Sequence, residues 1–250
     1  MNMKVDLCGV TLNNPVMTAS GTFGSGAEYA EFVDLNKLGA VVTKGVANVP
    51  WPGNPTPRVA EVYGGMLNAV GLQNPGIDLF VERDIPFLKQ FDTKIMVNVC
   101  GHSTEEYIEV VERLRDQPVD LLEINISCPN VKEGGIAFGQ DPKAVEAITK
   151  EMKKHAAQPV IMKLSPNVTD ITEMARAAEA GGADGLSLIN TITGMKIDIN
   201  RQKFVLANKT GGMSGPAIHP VAVRMVYQTA QAVRLPNRRN GRNHECRGCD

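Results

Sequence analysis

The sequence predicts an α/β fold, and within that class a (β/α)8 barrel whose last two strand–helix units are missing or scrambled. Short runs rich in β-branched residues alternate with amphipathic stretches, a pattern typical of parallel strands joined by helices. Polar segments rich in glycine and asparagine follow the predicted strands, as they do on the active-site face of such barrels. A length of 250 residues is enough for one large core, although it would also allow two small domains.

Six apolar runs are predicted to be the parallel strands of this barrel. Each is short, rich in branched aliphatic residues and bounded by turn-forming or polar residues. In chain order they are Pro15–Thr18, Ala40–Lys44, Lys94–Val99, Leu121–Ile126, Val160–Leu164 and Gly185–Asn190.

The segments between the later strands carry signals for the start of a helix. Ser103 and Glu106 form a capping box. The apolar residues that follow lie on one helical face, namely Tyr107, Val110, Val111 and Leu114. Further helices are predicted to begin at Asp141-Pro142, at Asp170 with Glu173, and at His219-Pro220, the last ending before Val233.

A doubly wound sheet is the alternative architecture. Its phosphate-binding turn would be a glycine-rich segment directly after the first strand and at the start of a helix. The glycine-rich segment 20–26 matches that pattern poorly. The barrel is therefore favoured.

Composition and charge indicate an ordinary globular protein. The chain is 43% hydrophobic and 21% charged with a formal net charge of −1, so nothing favours nucleic acid or an anionic membrane as a partner. The first residues lack the apolar core of a signal peptide, and no apolar run approaches the roughly 18 residues of a membrane span. A cytoplasmic location is predicted.

The cysteines are odd in number and scattered, which favours free thiols over disulfides: Cys8, Cys100, Cys128, Cys246 and Cys249.

Three residues at predicted strand ends have side chains suited to chemistry. Cys128 begins a loop just past a strand, where a thiol with a lowered pKa can act as a base, although a free cysteine is often a small core residue. Lys44 and Lys163 each close a strand. Since a buried ammonium must be paired, they point to a polar cofactor, the alternative being that they reach solvent from the barrel rim.

Amide side chains and one glycine-rich loop extend this set. The asparagines Asn68, Asn98, Asn125 and Asn190 lie on strand ends or the loops that follow, and their donors and acceptors suit a pyrimidine-like ring or a flavin edge. Any one of them alone is better explained as a turn residue, but four on one predicted rim beside two lysines favour a binding site. The segment 211–216 offers backbone N–H groups, and the pair Cys246 and Cys249 lacks a second pair, so no metal site is predicted.

Six motifs in order resemble the dihydroorotate dehydrogenase family, over residues 1 to about 235. They are ASGTFG at 19–24, TKG at 43–45, NAVGLQNP at 68–75, NISCPN at 125–130, MKLSPN at 162–167 and INT at 189–191. Cysteine rather than serine at position 128 resembles class 1 of the family. The ASGTFG opening and the NVKEGG continuation resemble the NAD-linked class 1B catalytic subunit.

The resemblance implies an FMN-bearing TIM barrel that oxidises (S)-dihydroorotate to orotate in de novo pyrimidine biosynthesis. Cys128 would remove the C5 proton while the C6 hydride passes to the flavin. The residues implied to hold FMN are Ser20, Lys44, Gly45, Asn98, Asn125, Lys163, Ile189 and Gly215. Those implied to bind the substrate are Lys44, Asn68, Ala69, Val70, Gly71, Leu72, Asn125, Asn190 and Thr191.

The resemblance also implies partners. In class 1B, electrons pass to NAD through a separate subunit that carries FAD and a 2Fe-2S cluster, and a homodimeric core lies within a heterotetramer. The alternatives are a fumarate-linked class 1A enzyme, a related flavin-dependent pyrimidine reductase, and a non-catalytic flavin-binding fragment.

The C-terminal segment departs from the family pattern. The family would continue after Pro236 with two branched aliphatic residues and then Gly-Met-Gly-Gly-Ile, whereas this chain continues with an arginine-rich segment. A shift of one base allows that segment to encode the family pattern. We therefore expect residues 1–236 to form an incomplete barrel domain and residues 237–250 to be frameshifted, a disordered basic tail being the alternative.

Overall fold

The computed structural model describes residues 3–127, 132–133, 136–235 and 237–239. Its strands are β1 (Val5–Leu7), β2 (Val10–Leu12), β3 (Ala40–Val42), β4 (Val59–Val62), β5 (Gly65–Asn68), β6 (Lys94–Val99), β7 (Leu121–Asn125), β8 (Lys132–Glu133), β9 (Ile136–Ala137), β10 (Val160–Lys163), β11 (Gly185–Leu188), β12 (Ile192–Met195), β13 (Ile197–Asp198), β14 (Lys203–Phe204), β15 (Thr210–Ser214) and β16 (Asn237–Arg239). Its α-helices are α1 (Ile77–Leu79), α2 (Ile85–Leu88), α3 (Thr104–Leu114), α4 (Pro142–His155), α5 (Ile171–Ala180) and α6 (His219–Ala232). A π-helical turn, Phe80–Asp84, lies between α1 and α2, and 3-10 turns lie at Leu35–Lys37, Phe138–Gln140 and Pro216–Ile218.

A six-stranded parallel sheet forms the centre of the molecule, in the order β16-β11-β10-β7-β6-β3. Met17 adds a parallel bridge to Ala40 at the β3 side of this sheet. Strands that follow one another in the barrel are therefore neighbours in space, as in a (β/α)8 barrel rather than a doubly wound sheet. The predicted fold class is confirmed, here as part of a barrel.

The predicted strands correspond closely to the observed ones. The strand β6 has the predicted bounds, and β3, β7, β10 and β11 each begin at the predicted residue but end one or two residues earlier. Only Pro15–Thr18 differs, because it is represented by the Met17 bridge and is followed by a 3-10 turn instead of an α-helix.

The helix predictions are confirmed by the caps. The Ser103 side chain accepts a hydrogen bond from the Glu106 backbone N–H, and the Asp141 and Asp170 side chains cap α4 and α5 in the same way. The apolar face predicted for α3 is buried against the sheet. In the described part of the chain, no helix combines the length and the apolar character that crossing a membrane requires.

The residues of the parallel strands alternate between two environments. On β6, Ile95, Val97 and Val99 pack in the large core between the sheet and the helices. Met96 instead packs in a smaller apolar cluster with the hairpin β1-β2. Since side chains alternate along a strand, Asn98 lies on the same face as Met96, nearer the carboxyl end. Polar residues of this inner face are thereby directed toward the end of the barrel where the loops gather.

A second sheet, not predicted from the sequence, lies over that end. It has four antiparallel strands in the order β12-β15-β5-β4. The strands β4 and β5 belong to the connection after β3, whereas β12 and β15 belong to the connection after β11. The small sheet therefore joins two distant loops of the barrel.

Candidate active site

A cavity of about 460 Å³ lies between the carboxyl ends of the parallel strands and the small sheet. This volume is in the range of pockets that bind small organic ligands. We call its two sides the barrel wall, formed by Ser20–Thr22, Lys44, Gly45, Asn98, Asn125 and Ser127, and the sheet wall, formed by Val59, Met66, Asn68, Thr193 and Thr210–Ser214 except Met213. The loops 69–72 and 190–191, with Asn54, Asn167 and Asn208, complete the described lining.

Most residues that the sequence analysis selected lie at this cavity. The described lining includes the predicted cofactor residues Ser20, Lys44, Gly45, Asn98 and Asn125, and the predicted substrate residues Asn68, Ala69, Val70, Gly71, Leu72, Asn190 and Thr191.

Three predicted cofactor residues are absent from that described lining. Lys163 lies behind the barrel wall and donates to Ser20 Oγ at 2.7 Å. Ile189 is buried in the large core next to Asn190. Gly215 follows the sheet wall at a φ of 122°, where an added Cβ would lie 2.6 Å from Gly65 Cα.

The predicted base Cys128 lies outside the part of the chain that the structure describes. So do Cys246 and Cys249, for which no metal site was predicted. Directly before Cys128, Ser127 is held in place because its hydroxyl donates to the Lys163 carbonyl oxygen at 2.9 Å.

A buried carboxylate lies behind the barrel wall at the centre of a polar cluster. Glu123 is 0% exposed, and its Oε1 accepts from Asn98 Nδ2 at 2.7 Å and from Lys163 Nζ at 3.3 Å. Its Oε2 accepts from Ser187 Oγ at 2.6 Å. Because an isolated buried charge is costly, the Glu123 and Lys163 side chains each require such partners. Lys163 is thus a paired, buried lysine, and its alternative interpretation as a solvent-reaching residue is wrong.

The two asparagines of the barrel wall and Asn190 of the neighbouring loop contact one another in a row. Asn125 Nδ2 lies 3.4 Å from Asn98 Oδ1, and Asn190 Nδ2 lies 3.5 Å from Asn125 Oδ1. The Asn125 carbonyl oxygen also accepts from the buried Tyr107 hydroxyl at 2.7 Å, which ties this strand end to α3. The amides therefore have defined neighbours rather than the solvent contacts of ordinary turn residues.

The loop after β5 is attached to the barrel wall by one buried side chain. Asn74 Oδ1 accepts from the backbone N–H groups of Ala47 and Gly76 at 3.1 and 2.9 Å, and its Nδ2 donates to the Leu72 carbonyl oxygen at 2.8 Å. Leu72 has a φ of 51°, an uncommon conformation for a leucine. The loop 69–72 is thus held in one conformation beside Lys44.

The sheet wall approaches the barrel closely through glycine. Asn68 pairs with Gly212 in the sheet and its Nδ2 donates to the Gly212 carbonyl oxygen at 3.3 Å. A Cβ at position 212 would lie 1.9 Å from Thr191 Oγ1. Glycine at this position lets the sheet wall approach the loop 190–191 closely.

The arrangement suits planar, polar ring systems. Gly45 is closely packed, since an added Cβ would lie 3.1 Å from Asn98 Oδ1 and 3.2 Å from Cys100 Sγ. Amide donors and acceptors from both walls, with Lys44, face the space between them. The described residues therefore fit the ring portion of a flavin next to a second small ring.

Comparison with known proteins identifies the family. The family model for dihydroorotate dehydrogenase matches residues 2–236. The chain belongs to the dihydroorotate dehydrogenase family. Curated members named "Dihydroorotate dehydrogenase B (NAD(+)), catalytic subunit" are similar over 94% of this chain. The protein from Lachnoclostridium phytofermentans is 75% identical over 236 residues and is covered over 79% of its length. The corresponding proteins from Alkaliphilus metalliredigens and Geobacter sulfurreducens are 68% and 57% identical, with 78% and 77% of their lengths covered.

Sequence reasoning missed two polar residues at or directly behind the cavity. Glu123 lies two residues before Asn125 on β7, so the two side chains share the inner face of the barrel. A charged residue within the apolar run 121–126 was the available signal. Asn167 is the second, and it links the loops because it donates to the Thr191 carbonyl oxygen and accepts from the Thr193 N–H.

Proposed function

We propose that this chain is a class 1B catalytic subunit that oxidises dihydroorotate to orotate in pyrimidine biosynthesis, with NAD as the final acceptor. The observation that carries the proposal is the convergence of the family motifs on one cavity, whose barrel wall supplies Lys44, Asn98 and Asn125 and whose sheet wall supplies Asn68. The NAD-linked names of the relatives support class 1B over the fumarate-linked class 1A.

We propose FMN as the cofactor, held by Ser20, Lys44, Gly45, Asn98, Asn125, Lys163, Ile189 and Gly215. When bound, the flavin supplies the hydride acceptor. Its ring portion would lie in the cavity that Gly45, Asn98 and Asn125 line. Ser20, fixed by Lys163 Nζ at 2.7 Å, would lie at one side of the ring.

The substrate would be oriented by amides from the loops and both walls. Asn68 and the loop 69–72 would contact it from one side, and Asn125, Asn190 and Thr191 from the other. Two walls that fix a flat ring reduce the entropy cost of reaching the reactive geometry. Cys128 would then remove the C5 proton as general base.

The remaining parts of the proposal concern partners and chain organisation. A separate subunit carrying FAD and a 2Fe-2S cluster would accept the electrons, and two catalytic subunits would form the core of a heterotetramer in the cytoplasm. Residues 1–236 would form the barrel domain and residues 237–250 a frameshifted tail, which is supported by the family match ending at residue 236. The backbone of Asn237–Arg239, at the start of that tail, adds strand β16 to the sheet beside β11. Resequencing the gene across Leu235 to Asp250 tests the frameshift.

The activity is tested by adding dihydroorotate anaerobically to the flavin-loaded chain and following the flavin absorbance. We expect dihydroorotate, but not dihydrouracil, to bleach it. A flavin that stays oxidised would indicate a non-catalytic flavin-binding fragment. Reoxidation by fumarate in the absence of any partner subunit would favour class 1A.

The base is tested with Cys128→Ala, which should retain flavin and lose turnover near neutral pH by about 10²-fold or more, the usual contribution of general base catalysis. Cys100→Ala is the matched control, because Cys100 is also a cysteine and is buried in the fold. Unchanged turnover in Cys128→Ala would remove Cys128 from the mechanism.

A further inference from the structure

Glu123 has no part in the chemistry proposed above, yet it is a fully buried carboxylate directly behind the cavity's amides. We propose that Glu123 is a positioning residue that fixes which way the cavity's asparagine amides point. It would thereby make the barrel wall selective for a ring whose facing edge carries carbonyl or carboxylate oxygens. This inference rests on the proposed function, since the ring concerned is the substrate's.

The Glu123 carboxylate fixes the orientation of the first amide. An ionised carboxylate has acceptors but no donors, and the Lys163 ammonium 3.3 Å away favours the ionised form. Asn98 can therefore face Glu123 Oε1, at 2.7 Å, only with its NH₂ group. Its carbonyl oxygen must then point the other way, toward Asn125.

The same restriction passes from one amide to the next. With the Asn98 oxygen facing it, Asn125 presents its NH₂ group to Asn98 and its oxygen to Asn190. Two backbone contacts at the other end of the row require the same orientation. The Ser127 backbone N–H donates to Asn125 Oδ1 at 3.3 Å, and the Thr191 N–H donates to Asn190 Oδ1 at 2.8 Å. A pure acceptor at one end and pure donors at the other define a single orientation for the row.

The orientation has a consequence for the ligand. The amide contacts within the row are long, at 3.4 and 3.5 Å, so the amides can also bond to a ligand. Each NH₂ group has a second N–H beyond the one that faces its neighbour. Asn125 and Asn190 therefore offer donors to the cavity, which match the oxygens of a pyrimidine carboxylate better than ring N–H groups.

A purely structural role makes a different prediction. If Glu123 served only to neutralise Lys163, any uncharged replacement would have the same effect on the cavity. Replacing Glu123 by glutamine or by methionine distinguishes the positioning role from the purely structural one. Glutamine can keep an oxygen toward Asn98 and turn its NH₂ group to Ser187 Oγ, whereas methionine has a similar length but no such acceptor.

The experiment compares orotate affinity, by calorimetry on the flavin-loaded full chain, for Glu123→Gln, Glu123→Met and the control Ser187→Ala. Ser187→Ala removes one hydrogen bond from the same carboxylate but leaves the acceptor that faces Asn98. We expect the control and Glu123→Gln to stay within about threefold of the unchanged chain, and Glu123→Met to bind at least about tenfold more weakly, since it leaves a buried donor unsatisfied. Equal weakening in the Gln and Met variants, or none in Glu123→Met, overturns the proposal.

A second measurement needs neither a folded Glu123→Met variant nor any ligand. The chain is labelled with ¹⁵N-asparagine, and the Asn98 NH₂ signals are assigned by their loss in Asn98→Ser. These signals should be protected from solvent exchange. They should stay protected in Glu123→Gln. Exchange as fast as that of an exposed asparagine overturns the positioning role. Failure of the unchanged chain to bind orotate counts instead against the proposed function, because the exchange experiment still reports on the amides.

Discussion

The two walls of the cavity are built in different ways. The barrel wall presents side chains from buried parallel strands, and Asn98 and Asn125 are 1% and 4% exposed. The sheet wall presents backbone and partly exposed side chains from short strands, and Val59 and Met66 are 47% and 43% exposed. Direction-specific hydrogen bonds therefore come mainly from the barrel wall, whereas the sheet wall determines the width of the space. Substitutions in the two walls should have effects that differ in kind.

The largest effect is expected behind the barrel wall. Lys163→Met leaves the Glu123 carboxylate buried without its ammonium partner, which should lower the free energy of unfolding by about 3–5 kcal/mol. The control on the small-sheet side is Lys196→Met, whose exposed Lys196 Nζ donates to the Glu61 carbonyl oxygen. Urea denaturation should place this control within about 0.5 kcal/mol of the unchanged chain. Equal losses in the two variants would contradict the distinction between the walls.

A smaller effect is expected at the sheet wall, and it should appear in binding. In Gly212→Ala the new Cβ would meet Thr191 Oγ1, so the sheet or Thr191 must shift. We expect orotate affinity, measured by calorimetry, to fall by about tenfold, as small displacements of positioning groups commonly cause. Gly194→Ala on β12 is the control, because its Cβ would meet only the flexible end of Leu67 at 3.1 Å. Similar affinities for the two variants would show that the sheet wall tolerates displacement.

The smallest effect is expected at the opposite end of the barrel, far from both walls. Burial, the largest cause, together with the negative charges of Asp184 and Asp6 raises the pKa of the Cys8 thiol from 9.0 to about 11. Iodoacetamide should therefore alkylate Cys8 at pH 8 more slowly in the folded chain than in urea, because the thiolate is the reactive form. Mass spectrometry of the labelled peptides measures this, and equal rates would contradict the pKa shift.

The same thiol gives a pH dependence of stability. Below pH 9 the thiol is protonated in both states and contributes no difference. Between pH 9 and 11 the unfolded chain loses this proton first, so the free energy of unfolding should fall as the pH rises. Cys8→Ala should remove that part of the decline, which is measured as the difference between the two pH profiles.

The barrel wall could be predicted from the sequence to a greater extent than the sheet wall. The runs around Asn98 and Asn125 are long enough, and apolar enough, to indicate buried strands whose polar ends share one rim. Glu123 was not predicted, because its strand is recognised in the sequence by its apolar residues. Its spacing of two residues from Asn125 nevertheless places both side chains on the same face of the strand. Lys163 lies behind the barrel wall because it pairs with Glu123, and the sequence motif around Lys163 does not indicate this partner.

The sheet wall escaped prediction for physical reasons. Its strands have four or five residues, and β15 begins with threonine and two glycines, a composition that has little strand propensity. These strands are stabilised by pairing between distant loops, and such pairing cannot be predicted from the local sequence. The site residues Asn68 and Thr191 were found through their motifs, whereas the sheet that positions them was not.

The pairing of β5 with β15 also has a consequence for the order of folding. Leu67 is opposite Met213, so this contact joins segments separated by most of the barrel sequence. Contacts of such long sequence separation carry a large loop-closure cost until the intervening chain is ordered. The small sheet should therefore assemble after the barrel strands between its halves. A refolding chain would then become able to bind a ring ligand only at a late stage of folding.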